Sequence, residues 1–199
     1  MITADIIIEK LQSFAAKDAP PRGDHDLNPG MQTGKDLTPA AVLVPLVIRG
    51  GGLTTLFTQR TEHLLHHAGQ ISFPGGHVDP GDDSPEDTAL RETEEEVGLA
   101  RAHITTIGRL NQYVTRTGFA ITPVVALVSP PFDVTPDADE VDEVFEVPLD
   151  FLLDPANHQR HRREFKGQIR EFYAMPYEDY YIWGATAGML VNLYEVLRD

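Results

Sequence analysis

The chain has 199 residues, 41% of them apolar and 24% charged, with 31 acidic residues against 16 basic ones, a net charge of −15 and no cysteine. That length suits one sizeable hydrophobic core plus an extension, with the composition of a globular domain. Disulfides and thiolate metal sites are excluded. A nucleic-acid surface is disfavoured by the acidity, and no run of about 20 uncharged apolar residues is present to form a transmembrane helix.

Taken from the start, residues 3–16 carry Ile6, Ile7, Leu11 and Phe14 at roughly helical spacing. Asp5 and Glu9 flank the Ile6–Ile8 triplet, which lacks the basic and long apolar regions of a signal peptide; a cytoplasmic location without a membrane partner is expected. Residues 18–39 are rich in Pro, Gly and Asp and have almost no apolar periodicity. This predicts an N-terminal helix and linker arm over 1–39, either a dimer contact or a flexible tail, and a main domain over 40–199. Residues 40–49 (AAVLVPLVIR) are a continuous apolar run closed by Gly50, Gly51 and Gly52, and 53–58 follow, which reads as a hairpin feeding a buried sheet. Pro45 inside the first run predicts an edge position or a bulge. Further strands are expected at 103–110, 120–128, 143–147, 167–174 and 180–183, and helices at 85–97, 148–154 and 184–198. The last helix has a broad apolar face of Ala187, Leu190, Val191, Leu193, Tyr194 and Leu197. Mixed strands flanked by helices make the fold class α/β, a layered sandwich.

The segment from Phe73 to Leu99 (FPGGHVDPGDDSPEDTALRETEEEVGL) carries the chemistry. Ser84 is a natural N-cap, Pro85 fits the first helical position, Glu86 and Asp87 suit the positive end of the helix dipole, and Gly98 can stop the helix. On that helix Glu92, Glu95 and Glu96 stand at i, i+3 and i+4 and share one face. Clustered like charges cost stability unless something neutralises them, and Mg²⁺ or Mn²⁺ takes carboxylate oxygens while keeping water positions open for phosphates. Three glutamates alone would also fit a solvated acidic face. The preceding Phe73-Pro74-Gly75-Gly76 changes that balance, because glycines let backbone approach the helix closely. Arg91, set among the acids, can brace carboxylates or touch phosphate.

These residues resemble the Nudix hydrolase signature. The chain has Gly76, five residues, Asp82, eight residues, then Arg91-Glu92-Thr93-Glu94-Glu95-Glu96-Val97-Gly98-Leu99. Asp82 stands where the family has Glu, the loop is one residue longer, and Thr93 replaces an apolar residue. The first two departures look like the coenzyme A pyrophosphatase branch, as do residues 56–61 (LFTQRT), 69–76 (GQISFPGG), 115–119 (TRTGF) and 182–187 (IWGATA). Leu65 stands where that branch carries a second Arg. The resemblance covers residues 40 to 198.

It implies a Nudix-type α/β/α sandwich with a mixed sheet. It also implies an enzyme that hydrolyses a nucleoside diphosphate linked to another moiety, water attacking one phosphorus in line with divalent metal ions between the anionic partners. Glu92 and Glu96 would be the principal metal ligands, Glu95 a ligand or the general base, and Asp82 a further ligand or a structural acid. Arg91 would act mainly as a brace, and Gly75 and Gly76 would shape the turn. Arg60, His67 and Gln70 are candidates to contact substrate. By the branch, that substrate is coenzyme A or an acyl derivative, cleaved to 4′-phosphopantetheine (or its acyl form) and adenosine 3′,5′-bisphosphate. The alternatives are an ADP-ribose or dinucleoside-polyphosphate hydrolase, or a nucleotide-binding module without turnover; such a module would be expected to lose acids that this helix keeps.

Three other features invite function. His63, His66 and His67 suggest zinc, but no acid or Cys partner follows at useful spacing, so a solvated loop or a substrate contact is preferred. Residues 158–170, with five basic side chains, read as a solvated loop with local ion pairs or as a steering patch for an anion. Trp183, Tyr180, Tyr181 and Phe119 read as core or as stacking partners for adenine. Ser72 and Ser84 lack a His–Asp arrangement and do not suggest a serine nucleophile.

Overall fold

Gly50 and Gly51 fold the long apolar run back on itself, and the sheet is built on that hairpin. The computed structural model describes residues 2–14, 16, 19–31, 36–63, 68–165 and 167–198. In chain order these form α1 (Ala4–Ser13), β1 (Arg22–Gly23), β2 (Thr38–Arg49), β3 (Gly52–Arg60), β4 (Ile71–Ser72), β5 (Gly75–His77), α2 (Pro85–Val97), β6 (Ile104–Arg109), β7 (Tyr113–Val114), β8 (Phe119–Val128), β9 (Val141–Pro148), α3 (Leu149–Leu152), β10 (Gln159–Phe165), β11 (Gln168–Tyr177), β12 (Tyr180–Trp183) and α4 (Ala185–Arg198). The main sheet runs β1-β7-β8-β2-β3-β4, with β5 also on β2, β6 on β8 and β9 on β3; β10-β11-β12 form a second, antiparallel sheet. β2 lies parallel to β8 and antiparallel to β3, so the main sheet is mixed.

Both faces of the main sheet are covered, as the near-continuous apolar character of β2 requires. Ala41, Leu43 and Val47 point to α2, joining Ala89 and Val97 in two clusters. Val44 and Leu46 point the other way, into the larger core that holds Ile7 and Leu11 of α1, Leu149 and Leu152 of α3, and Leu190, Leu193 and Leu197 of α4. The result is an α/β/α sandwich, as expected.

Pro45 lies neither at an edge nor at a bulge. β2 is interior, and Pro45 pairs in register with Ala126 of β8. On its other side β2 meets β5 through Val42 and β3 only from Leu46 onward. Leu43 donates its N–H to Pro74 on that side (2.9 Å), and strand alternation turns the Pro45 nitrogen the same way, into the gap between the two partners. The missing donor therefore breaks no ladder bond.

The basic stretch expected to be a loop is a strand. β10 pairs with β11 from Gln159↔Ala174 to Phe165↔Gln168. Its sequence hides this because the strand is polar and borders solvent, so no apolar alternation marks it. Residues 20–28 also have defined contacts. Asn111 Nδ2 donates to the Pro20 carbonyl (2.8 Å), Arg22 pairs with Glu195 of α4 (2.5 Å), and Asn28 exchanges hydrogen bonds with the backbone of Glu171. No helix among the described residues is long and apolar enough to cross a membrane.

Ile7 is fully buried and Leu11 presses against Gly108 of β6. Truncating Ile7 to Ala should destabilise the protein by about 2–5 kcal/mol, the cost of a large-to-small change in a core. Urea unfolding measures this; a loss under about 0.5 kcal/mol, the surface range, would place α1 outside the cooperative unit.

Candidate active site

Helix α2 begins and ends as its sequence dictates. Asp87 donates its N–H to the Ser84 hydroxyl (3.2 Å), Pro85 opens the first turn, and Gly98 closes the last with a left-handed φ of 69°. Thr93 is fully buried and its hydroxyl donates to the Ala89 carbonyl (2.6 Å), so the polar atom is satisfied and its methyl packs. The last free carbonyls of α2 are met by the loop after β8: Thr135 donates to Val97 (2.7 Å) and Asp137 to Glu96 (3.0 Å).

Arg91 is the hub of the acids. Its Nε and Nη2 grip both oxygens of Asp82 (3.0 Å each), its Nη1 reaches Glu92 and Glu95 (3.0 Å each), and Nη2 also donates to the His77 carbonyl (3.1 Å). Asp82 additionally accepts from the Thr88 hydroxyl (2.7 Å) and the Asp79 N–H (2.9 Å). The Arg91 contacts, then these two, hold its carboxyl well below the usual carboxylate range. Both oxygens of Asp82 are thus engaged within the protein, the arrangement expected of the structural acid that braces Arg91.

Glu96 differs from its neighbours. It is only 6% exposed, and its Oε2 accepts the Gly75 N–H (3.1 Å). Burial pushes its pKa up to about 7, against the opposing pull of that hydrogen bond. Burial also raises Glu92, and Glu140 adds its negative charge to both. Glu140 was not singled out by the sequence, where it is one of many acids in a polar loop; the docking of that loop on α2 brings it to the cluster. Arg60 Nη1 lies 3.8 Å from Glu96, and its buried Nε has no hydrogen-bond partner among the described residues.

The glycine turn is held tight from both sides. Gly75 has a φ of 153°, and a Cβ there would run into the Ala41 carbonyl. A Cβ on Gly76 would lie 2.5 Å from the Glu92 carboxyl. Replacing Gly76 with Ala should therefore displace the Glu92 carboxylate and lower kcat by roughly ten- to a hundredfold with little change in Tm. Steady-state kinetics beside a thermal melt test this, and unchanged kcat would show that Glu92's position is immaterial.

Gln70 sits beside Arg60, accepting the Arg60 N–H at its carbonyl (3.0 Å), and the His77 ring lies edge-on to Phe119 at 5.3 Å. His67, Leu65 and His66 lie outside the described residues. Among the described residues no three His, Asp or Glu side chains are gathered closely enough to hold a metal ion as they stand. The donor set nonetheless fits a hard divalent cation. Glu92 and Glu96 share one face, both are shifted toward protonation by burial, and positive charge would relieve both. Such an ion would take over from Arg91 part of its hold on Glu92 and Glu95.

The NUDIX domain family model matches residues 37–168. The NudL Nudix hydrolases of Escherichia coli O7:K1 (strain IAI39 / ExPEC) and of Escherichia coli K12 are each 41% identical over 155 residues, covering 77% of this chain and 80% of theirs. The chain belongs to the Nudix hydrolase family. It is a pyrophosphohydrolase, and Nudix enzymes generally use divalent metal ions. Among solved structures, the NUDIX domain of Shewanella oneidensis NrtR, complexed with ADP ribose, superposes with a TM-score of 0.50 at 18% identity, covering 88% of this chain and 95% of that one, which shows the shared fold.

Proposed function

We propose that this Nudix hydrolase cleaves the pyrophosphate of coenzyme A or an acyl-coenzyme A, releasing 4′-phosphopantetheine (or its acyl form) and adenosine 3′,5′-bisphosphate. Support comes from the segments around β3 and β4, which resemble the coenzyme A branch and converge on the acidic helix. The carrying observation is Arg60: a guanidinium 3.8 Å from Glu96 whose buried Nε has no partner among the described residues, and which an anionic substrate oxygen would satisfy.

In this reading Glu92 and Glu96, with Glu95, hold Mg²⁺ or Mn²⁺. When bound, the ion lowers the pKa of water, screens the diphosphate from the glutamates and stabilises charge on the leaving phosphate. Arg91, anchored by Asp82, sets the rotamers of Glu92 and Glu95. The N–H of Gly75 orients Glu96, and Gly76 leaves room for the Glu92 carboxylate. Arg60 and Gln70, with His67, contact the substrate.

The second reading is an ADP-ribose or dinucleoside-polyphosphate hydrolase, favoured by Leu65 in place of the branch's second Arg. Incubation with coenzyme A, ADP-ribose and diadenosine polyphosphates, with products resolved by chromatography, separates the two. Coenzyme A should disappear fastest; an untouched coenzyme A beside a cleaved competitor would reject the first reading in favour of the second.

A further inference from the structure

The second sheet joins two features that lie apart in the sequence. Strand alternation puts His161 and Arg163 of β10, Phe172 of β11, and Tyr181 and Trp183 of β12 on one side of it. The other side carries Met175 and Ile182, both fully buried against the main core. On the outer side Trp183 and Phe172 meet edge to face at 5.3 Å, Phe172 meets His161 at 6.1 Å, and the Tyr181 hydroxyl hydrogen-bonds His161 Nδ1 (2.6 Å). With Arg162 these residues line a groove of about 410 Å³. None of them belongs to the acidic helix or its glycine turn.

Three aromatic rings on the outer face of a sheet are not needed to fill a core, and Tyr181 is 41% exposed. The charge is equally out of place. In a chain of net charge −15, β10 carries Arg160, Arg162 and Arg163. Arg162 is paired with Glu171 (2.7 Å), whereas Arg163, which lines the groove, has no ion pair among the described residues. A groove of this volume lies in the range of small-molecule sites. One exposed and two half-buried rings beside the Arg163 guanidinium match a planar base carrying a phosphate, since bases stack on aromatic faces and arginine forks onto phosphate oxygens.

We infer that this groove binds a purine nucleoside monophosphate, its base against the Trp183–Phe172–Tyr181 cluster and its phosphate on Arg163. The site is distinct from the hydrolytic one, because none of its lining residues belongs to α2 or to the glycine turn, and Glu96→Gln separates AMP bound here from AMP held there as a product. Trp183 is the only tryptophan in the chain, so the emission comes from a ring of this groove.

The test titrates AMP, adenosine and ribose 5-phosphate into the full-length protein in EDTA at low salt, following Trp183 emission. AMP should quench saturably and more tightly than either fragment. Arg163→Ala should weaken AMP by roughly tenfold or more, with an unchanged circular dichroism spectrum. Tyr181→Ala should weaken AMP and adenosine alike, and Glu96→Gln should leave AMP binding unaltered. An unsaturable AMP signal, an unchanged affinity in Arg163→Ala, or loss of binding in Glu96→Gln would each overturn the inference. So would quenching that follows protein concentration instead of AMP, which would make the groove a contact between copies of the chain.

Discussion

Glu96→Gln should lower kcat by roughly three decades while the protein stays folded, because it removes a ligand charge without removing a shape. The amide oxygen of Gln can accept the Gly75 N–H that Glu96 accepts now. Stability should move the opposite way from activity. The folded-state pKa of Glu96, about 7, exceeds its ordinary value of 4.5, so the native protein binds more protons than the unfolded chain between those values. Stability in the absence of metal therefore falls as pH rises from about 4.5 to about 7, and the neutral amide escapes that loss. At pH 8 in EDTA the variant should melt no lower than the wild type. Near-normal turnover would reject Glu96 as a ligand, and collapse of both turnover and fold would make its role structural. Glu95→Gln should also cost decades in kcat. An accompanying rise in the metal concentration needed would identify Glu95 as a ligand, and an unchanged requirement would identify it as the base. Its side chain is 60% exposed and, among the described residues, held only by Arg91, so this substitution should not disturb folding.

Chelation should abolish turnover, and Mg²⁺ or Mn²⁺ should restore it. Two unit charges of like sign about 4 Å apart repel by about 4 kcal/mol at an effective dielectric near 20. A diphosphate approaching Glu92 and Glu96, with Glu140 adding to their field, meets several such terms, and Arg60 is the cation beside Glu96. The same ion should stabilise the resting protein. Saturation at a hundred times its dissociation constant contributes about 2.7 kcal/mol, and Glu96→Gln should forfeit most of the resulting rise in Tm. Turnover in thoroughly chelated buffer, or a melting temperature indifferent to both ions in the wild type, would contradict a cation at this helix.

Much of the architecture is legible from local patterns, as helix α2 shows. Ser84, Pro85 and Gly98 mark its ends in the sequence, and the folded chain uses Ser84 and Gly98 as caps and Pro85 as the first helical residue. The spacing of Glu92, Glu95 and Glu96 likewise determines that they share a face. Pro45 and β10 show the limit. Proline at an interior strand position is tolerated only because β2 changes partners beside it, a fact of the sheet and not of the strand. β10 is charged along its length because it borders solvent, and apolar alternation cannot mark a strand with no dry face of its own.

The sequence by itself determined the acids, their common helix face and the glycines before them, because capping, helical period and glycine's freedom act over a few residues. Only the tertiary structure decided what each acid touches and how far it is buried. It ties Asp82 to Arg91, buries Glu96 against Gly75, leaves Glu95 exposed and brings Glu140 from a distant loop. Burial and charge proximity depend on which surfaces meet, and contacts between residues far apart in the chain leave no local pattern by which to read them.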